Sequence, residues 1–254
     1  MKPRVGCALS IVVGLALASC ARTPTPTPAP PSAPAAAAAP MAAAVPASMS
    51  ARVSAAAPAS EPAPGSVLAA PLVDVRTLDP TIRVEARYAT ADNFTGAPLP
   101  GYAASRALLR PAAARALARA HASLRAEGLG LLVYDAYRPV RASRAMVAWA
   151  RRTGNLAIVR RGYLAVRSRH NLGLAVDLTL CDLATGRPLD LGSAYDAMTP
   201  RSHTANATGA ALRHRRRLAA AMTAAGFAPY AKEWWHFAYG ADPEATEAYD
   251  VEIR

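Results

Sequence analysis

Cysteine is scarce: the 254 residues hold three, Cys7, Cys20 and Cys181. Only Cys181 lies beyond the first twenty residues, which excludes an internal disulfide framework and any zinc site built from several thiolates. Cys181 is expected as a small buried apolar residue. Acidic residues are also few, 17 against 29 Lys and Arg, giving a formal net charge of +12. Such a balance fits nucleic acid, an anionic surface or an arginine-rich composition alike. Its densest part, Arg213, Arg215, Arg216 and Arg217, lies in "ALRHRRRLAAAMTAAGF". Leu212, Leu218 and Met222 mark one face of a helix ending at Gly226, so these arginines are expected on its solvated face. No internal repeat occurs. No apolar run reaches the ~20 residues a spanning helix requires.

What is present begins with an address. Lys2 and Arg4 precede the apolar stretch "VGCALSIVVGLALAS", a signal-type h-region. It ends in Leu17-Ala18-Ser19-Cys20, which resembles a bacterial lipobox. That implies cleavage before Cys20, a diacylglyceryl group on its sulfur and, with Ala21 rather than Asp next, passage to the outer membrane, facing the periplasm. An ordinary cleaved signal with a chance cysteine is the alternative. Residues 21–70 hold 11 of the 22 prolines and only three charged residues, Arg22, Arg52 and Glu61. No hydrophobic period survives this composition, so residues 20–71 read as a lipidated cysteine and a disordered Ala/Pro-rich tether. Fifty residues at ~3.1 Å each would reach roughly 150 Å. An exported location argues against nucleic acid as a partner. Residues 72–254 remain as one folded domain.

Within it, Val73 to Val75 and Ile82 to Val84 read as short extended stretches. "LLRPAAARALARAHASLRAEG" is a helix with Pro111 in its first turn and Gly128 past its end. His121, inside it, reads as a surface or packing residue. Leu129 to Tyr137 form a strand, and Pro139 starts the next helix, which leaves Arg138 at a strand-to-helix elbow. "LGLAVDLTL" and "EWWHFAY" supply two more strands. The expected class is α+β, a mixed or antiparallel sheet with flanking helices.

Asp177 is out of place in an apolar strand, where a carboxylate is costly unless paired or holding a metal. Leu174, Val176, Leu178 and Leu180 share the core face; Ala175, Asp177 and Thr179 share the other, taken to face a cleft. His170 precedes Gly173, and a bend there would let two side chains seven apart converge. Glu233 and His236, three apart, would meet on one side of an irregular or helical turn. His170, Asp177 and His236 would then hold a zinc ion with a fourth position open, and Glu233 would stand beside it as a base. The bland reading stays open at this level: Asp177 as a satisfied structural carboxylate, His236 as half of a hydrogen bond.

Taken together, Ser168-x-His170-x-x-Gly173-x-Ala175-x-Asp177 and Glu233-x-Trp235-His236 resemble the signature of the zinc D-alanyl-D-alanine metallopeptidases. With "RYATADNFTG", "YDAYRP" and "RSH" in the same order, residues 72–240 are closest to the vancomycin-resistance (VanX) type dipeptidases. The resemblance implies one zinc per chain on His170, Asp177 and His236, with Glu233 as catalytic base. It implies Arg138 at the scissile carbonyl and Tyr88, Ser168 and Asp196 around the substrate, the ammonium of a small D,D-dipeptide resting on Tyr88 and Asp196. This chain departs from the pattern at Ala197-Met198-Thr199-Pro200, where relatives often carry acids, and in its lipobox and tether. Export argues against destruction of the dipeptide in the cytoplasm and favours wall turnover or salvage. Two other readings remain: a D,D-carboxypeptidase trimming peptidoglycan stems, and a non-catalytic tethered binder of wall fragments.

Overall fold

The computed structural model describes residues 72–240 and 248–254. The leader, Cys20 and the tether lie outside the described residues. Seven strands and four α-helices follow in chain order: β1 (Val73–Asp74), β2 (Arg83–Val84), β3 (Leu108–Leu109), α1 (Pro111–Leu124), β4 (Leu129–Asp135), α2 (Val140–Arg152), α3 (Leu156–Arg160), β5 (Ala175–Asp182), α4 (Gly209–Ala224), β6 (Phe227–Tyr230) and β7 (Glu233–Tyr239). β1 and β3 form a small antiparallel pair, and the main sheet runs β2-β4-β5-β7-β6. Only β2 and β4 are parallel within it, so the sheet is mixed, as expected of the α+β class.

α1 begins at Pro111, whose missing N–H costs nothing in a first turn. A short 3-10 turn follows it and stops at Gly128, whose φ of 69° is left-handed. Its buried stripe is mostly alanine (Ala113, Ala116 and Ala120, with Leu117 and Leu124). Such small residues let α1 lie close on Leu131, Val133, Val176, Leu178 and Leu180 of β4 and β5. His121 belongs to that buried stripe: its Nδ1 accepts the Leu131 N–H at 3.1 Å and its Nε2 meets the Thr81 hydroxyl at 2.9 Å. A second core joins α2 to Tyr88, Tyr137, Leu164 and Tyr249.

The Asp177 face of β5 borders a cleft, as expected: Asp177 lines one cavity with His170 and His236, while Tyr134 of β4 and Tyr195 of the following loop cover Thr179 and Cys181, each 1% exposed. One expectation about the helices changes: Arg215 is not solvated. The buried stripe of α4 is Ala211, Arg215, Leu218 and Met222, and Arg215 is 1% exposed. Its guanidinium donates to the carbonyls of Leu191 (2.6 Å), His203 (2.6 Å) and Arg201 (2.9 Å). A planar fork that meets three backbone acceptors can be buried where a point charge could not. Among the described residues no helix is long and apolar enough to cross a membrane.

Candidate metal centre

Register across the sheet builds the centre. Asp135 of β4 lies opposite Asp177 of β5, and Asp177 lies opposite His236 of β7, so three neighbouring strands carry one row of polar residues. His170 joins the row from a 3-10 turn, Arg169–Leu172. The Ser168 side chain and Asn171 cap that turn reciprocally. Gly173 ends it with φ 66°; a Cβ there would stand 2.7 Å from Leu72 Cδ2. The expected bend before β5 is therefore present, and it turns His170 back over Asp177.

Glu233 and His236 reach one cavity through irregular chain, the first of the two routes expected, and not through a helical turn. Tyr230 pairs with Glu233 and Pro229 with Phe237, so one step along β6 spans four along β7. The extra residues form a bulge, which breaks the strict alternation of a strand and brings both side chains to the cavity. That cavity, about 170 Å³, is also lined by Tyr88, Arg138, Ser168 and Asp196. All eight residues expected at the domain's site thus border one space or hold its donors.

The donor set fits a divalent cation. His170 Nε2 stands 3.1 Å from His236 Nδ1 and 3.2 Å from Asp177 Oδ1, and His236 Nδ1 stands 2.9 Å from that oxygen. Two imidazole lone pairs and a carboxylate oxygen repel at such distances unless a proton or cation stands among them. An ion at ~2.0–2.1 Å from each, the usual zinc distance, sits over a triangle of this size. His170 Nδ1 lies 2.6 Å from the Ala136 carbonyl, which places its proton there and turns the Nε2 lone pair toward the other donors. The lack of sulfur suits zinc or another borderline-to-hard divalent metal.

Electrostatics sharpen each role. Burial works to raise the Asp177 carboxyl, and the two imidazoles overcome it, holding it well below the usual carboxylate range. Burial, then the charges of Asp177 and Asp196, push Glu233 up to about 9. Burial and Asp177 push Asp196 up to about 8. Arg138, 7% exposed, donates through Nε to Asp135 at 2.9 Å and lies 3.4 Å from Asp177 Oδ2 through Nη2. The Tyr88 hydroxyl donates to Asp196 at 2.9 Å.

Residues 68–253 match the D-ala-D-ala dipeptidase family of M15 peptidases. The chain belongs to this family. Among curated D-alanyl-D-alanine dipeptidases, that of Streptomyces coelicolor is 39% identical over 187 residues, 68% of this chain and 93% of its own length. That of Enterococcus faecium is 36% identical over 189 residues, 68% and 93%, and that of Escherichia coli is 40% identical over 168 residues, 65% and 83%. Two residues that sequence reading passed over also stand at the centre of this M15 metallopeptidase. Asp135, in "YDAYRP", accepts the Tyr102 hydroxyl at 2.6 Å while holding Arg138, and Tyr195 places its hydroxyl 3.1 Å from Asp177 Oδ2. A second aspartate three residues before Arg138 was the available signal for the first; Tyr195 gave none beyond adjacency to Asp196.

Proposed function

We propose that this chain hydrolyses free D-alanyl-D-alanine with one zinc ion on His170, Asp177 and His236. The juxtaposition of that donor triangle with Glu233, Arg138 and Asp196 around a single small cavity carries the reading. When bound, the zinc ion would lower the pKa of a water and offset the Asp177 charge, which adds to burial in keeping Glu233 protonated. Glu233 takes the proton of the attacking water and returns it to the departing D-alanine nitrogen. Arg138 faces the carbonyl oxygen as it gains charge, and Asp135 holds the guanidinium in place. Asp196 and Tyr88 receive the substrate ammonium, and Ser168 lines the cavity while capping the turn of His170.

Cavity size favours the dipeptide. About 170 Å³ falls below the ~300–1,000 Å³ of sites for drug-sized ligands. A peptidoglycan stem would bring an acyl chain where Asp196 asks for an ammonium, and a mere binder has no use for Glu233. We further read the chain as an exported lipoprotein anchored through Cys20 at the outer membrane, acting in wall turnover or salvage; Lys2, Arg4, the Leu17 to Cys20 motif and the proline-rich segment support this.

Zinc-loaded full-length protein should release D-alanine from D-alanyl-D-alanine, stop in chelator and spare an N-acetylated dipeptide. Glu233→Gln should lower kcat by roughly 10²–10⁴-fold, the usual worth of a positioned base. No release from the free dipeptide by the zinc-loaded chain would refute the assignment.

A further inference from the structure

The two oxygens of Asp177 face different company. Oδ1 is the one beside the imidazoles, 2.9 Å from His236 Nδ1 and 3.2 Å from His170 Nε2. Oδ2 points away, to the Tyr195 hydroxyl at 3.1 Å and Arg138 Nη2 at 3.4 Å. Arg138 Nη2 is nearer to Asp135, at 2.7 Å, than to Asp177. The tyrosine hydroxyl is therefore the closest donor to Oδ2.

Tyr195 is held firmly enough to act as a stop. Its ring lies 4.8 Å from that of Tyr134 at an interplanar angle of 32°, and meets Trp235 edge-on at 5.4 Å. The hydroxyl is also 3.0 Å from that of Tyr88. An ionised Asp177 can only accept, so the Tyr195 proton belongs on Oδ2. We propose that Tyr195 is a positioning residue that keeps Asp177 a one-oxygen metal ligand, and this rests on the metal centre proposed above.

The physical need is clear from the carboxylate torsion. Rotation about the last bond of an aspartate is broad and roughly two-fold, so only its neighbours decide how many oxygens reach an ion. A second oxygen on the metal would occupy the position a catalytic site keeps for water. Tyr195→Phe removes the stop and leaves the ring. Tyr88 still donates directly to Asp196, so the ammonium subsite stays intact.

The test compares full-length Tyr195→Phe with Tyr134→Phe, which alters the stacked neighbour outside the donor set. Zinc affinity by competition with a coloured chelator should fall about tenfold or more in Tyr195→Phe, the usual cost of losing a hydrogen bond on a ligating carboxylate. The visible spectrum of its cobalt(II)-loaded form should shift, and both readouts should stay at the wild-type value in Tyr134→Phe. On D-alanyl-D-alanine, kcat should carry the loss while KM moves less than about threefold. Unchanged zinc affinity and cobalt spectrum in Tyr195→Phe would overturn the proposal. So would equal losses in both variants, which would show that losing either hydroxyl of the aromatic pair suffices and that the bond to Oδ2 is not special, or a loss borne by KM. The metal readouts need no substrate, so they decide on Tyr195 even if wild type leaves the dipeptide uncleaved.

Discussion

Asp196 combines a left-handed backbone, φ 57°, with a carboxyl that burial and the Asp177 charge push up to about 8. Aspartate tolerates that backbone better than most residues, yet the position still costs free energy that function has to justify. Its folded pKa lies above the ordinary value of 3.8. Between about pH 4 and 8 the unfolded chain therefore binds fewer protons here than the native one, and stability drawn from this position falls as pH rises through that window. In metal-free protein, Asp196→Asn should remove that decline. Thermal melts should show the variant gaining on wild type as pH moves from 4 toward 8, and a gap that shrinks instead would contradict the assignment. The same variant should raise KM for D-alanyl-D-alanine roughly 10–100-fold, in line with ~1.5–3 kcal/mol for a charged hydrogen bond.

At the scale of elements, α4 serves the site from a distance. Arg215 holds the carbonyls of Leu191, Arg201 and His203, which flank the loop bearing Tyr195 and Asp196. Arg215→Met keeps most of the stem and strands three buried acceptors, at a cost of about 2–4 kcal/mol. Denaturant unfolding should show that loss, and KM should rise as the loop slackens; a fully stable variant with native kinetics would refute this reading. Helix patterning could not reveal the role, because counting arginines as solvent-facing ignores a guanidinium satisfied by loop carbonyls 12 to 24 residues away. His170 and Arg138 were legible for a local reason, each sitting beside a turn, glycine or proline that fixes its direction, and Asp177 because a carboxylate stands out in an apolar strand. Asp135 and Tyr195 were not, since their partners are set by strand pairing and loop return, which are nonlocal. Glu233 and His236 were expected to meet on an irregular or helical turn, and they line one cavity through a bulge whose register only β6 defines.

For the whole molecule, the proposed anchor and the catalytic domain separate cleanly in sequence. Cys20 lies some fifty residues ahead of the first strand, across a segment with 12 prolines. A proline-rich spacer of that length transmits no packing to a folded domain. Cys20→Ser should shift the expressed protein from the membrane fraction to the soluble one while leaving kcat/KM for the dipeptide within about twofold; acylation is what fastens such chains to bilayers. Retention in the membrane fraction after that change would dismiss the lipid anchor.

The row Asp135, Asp177, His236 draws its members from β4, β5 and β7, and β7 is the last strand of the sheet to leave the ribosome. A nascent chain thus owns no cage for an ion until β7 has emerged and paired. Whichever compartment lets the final strand dock also offers the pool of metals from which the enzyme is charged. Identity of the bound ion becomes a record of where folding finished.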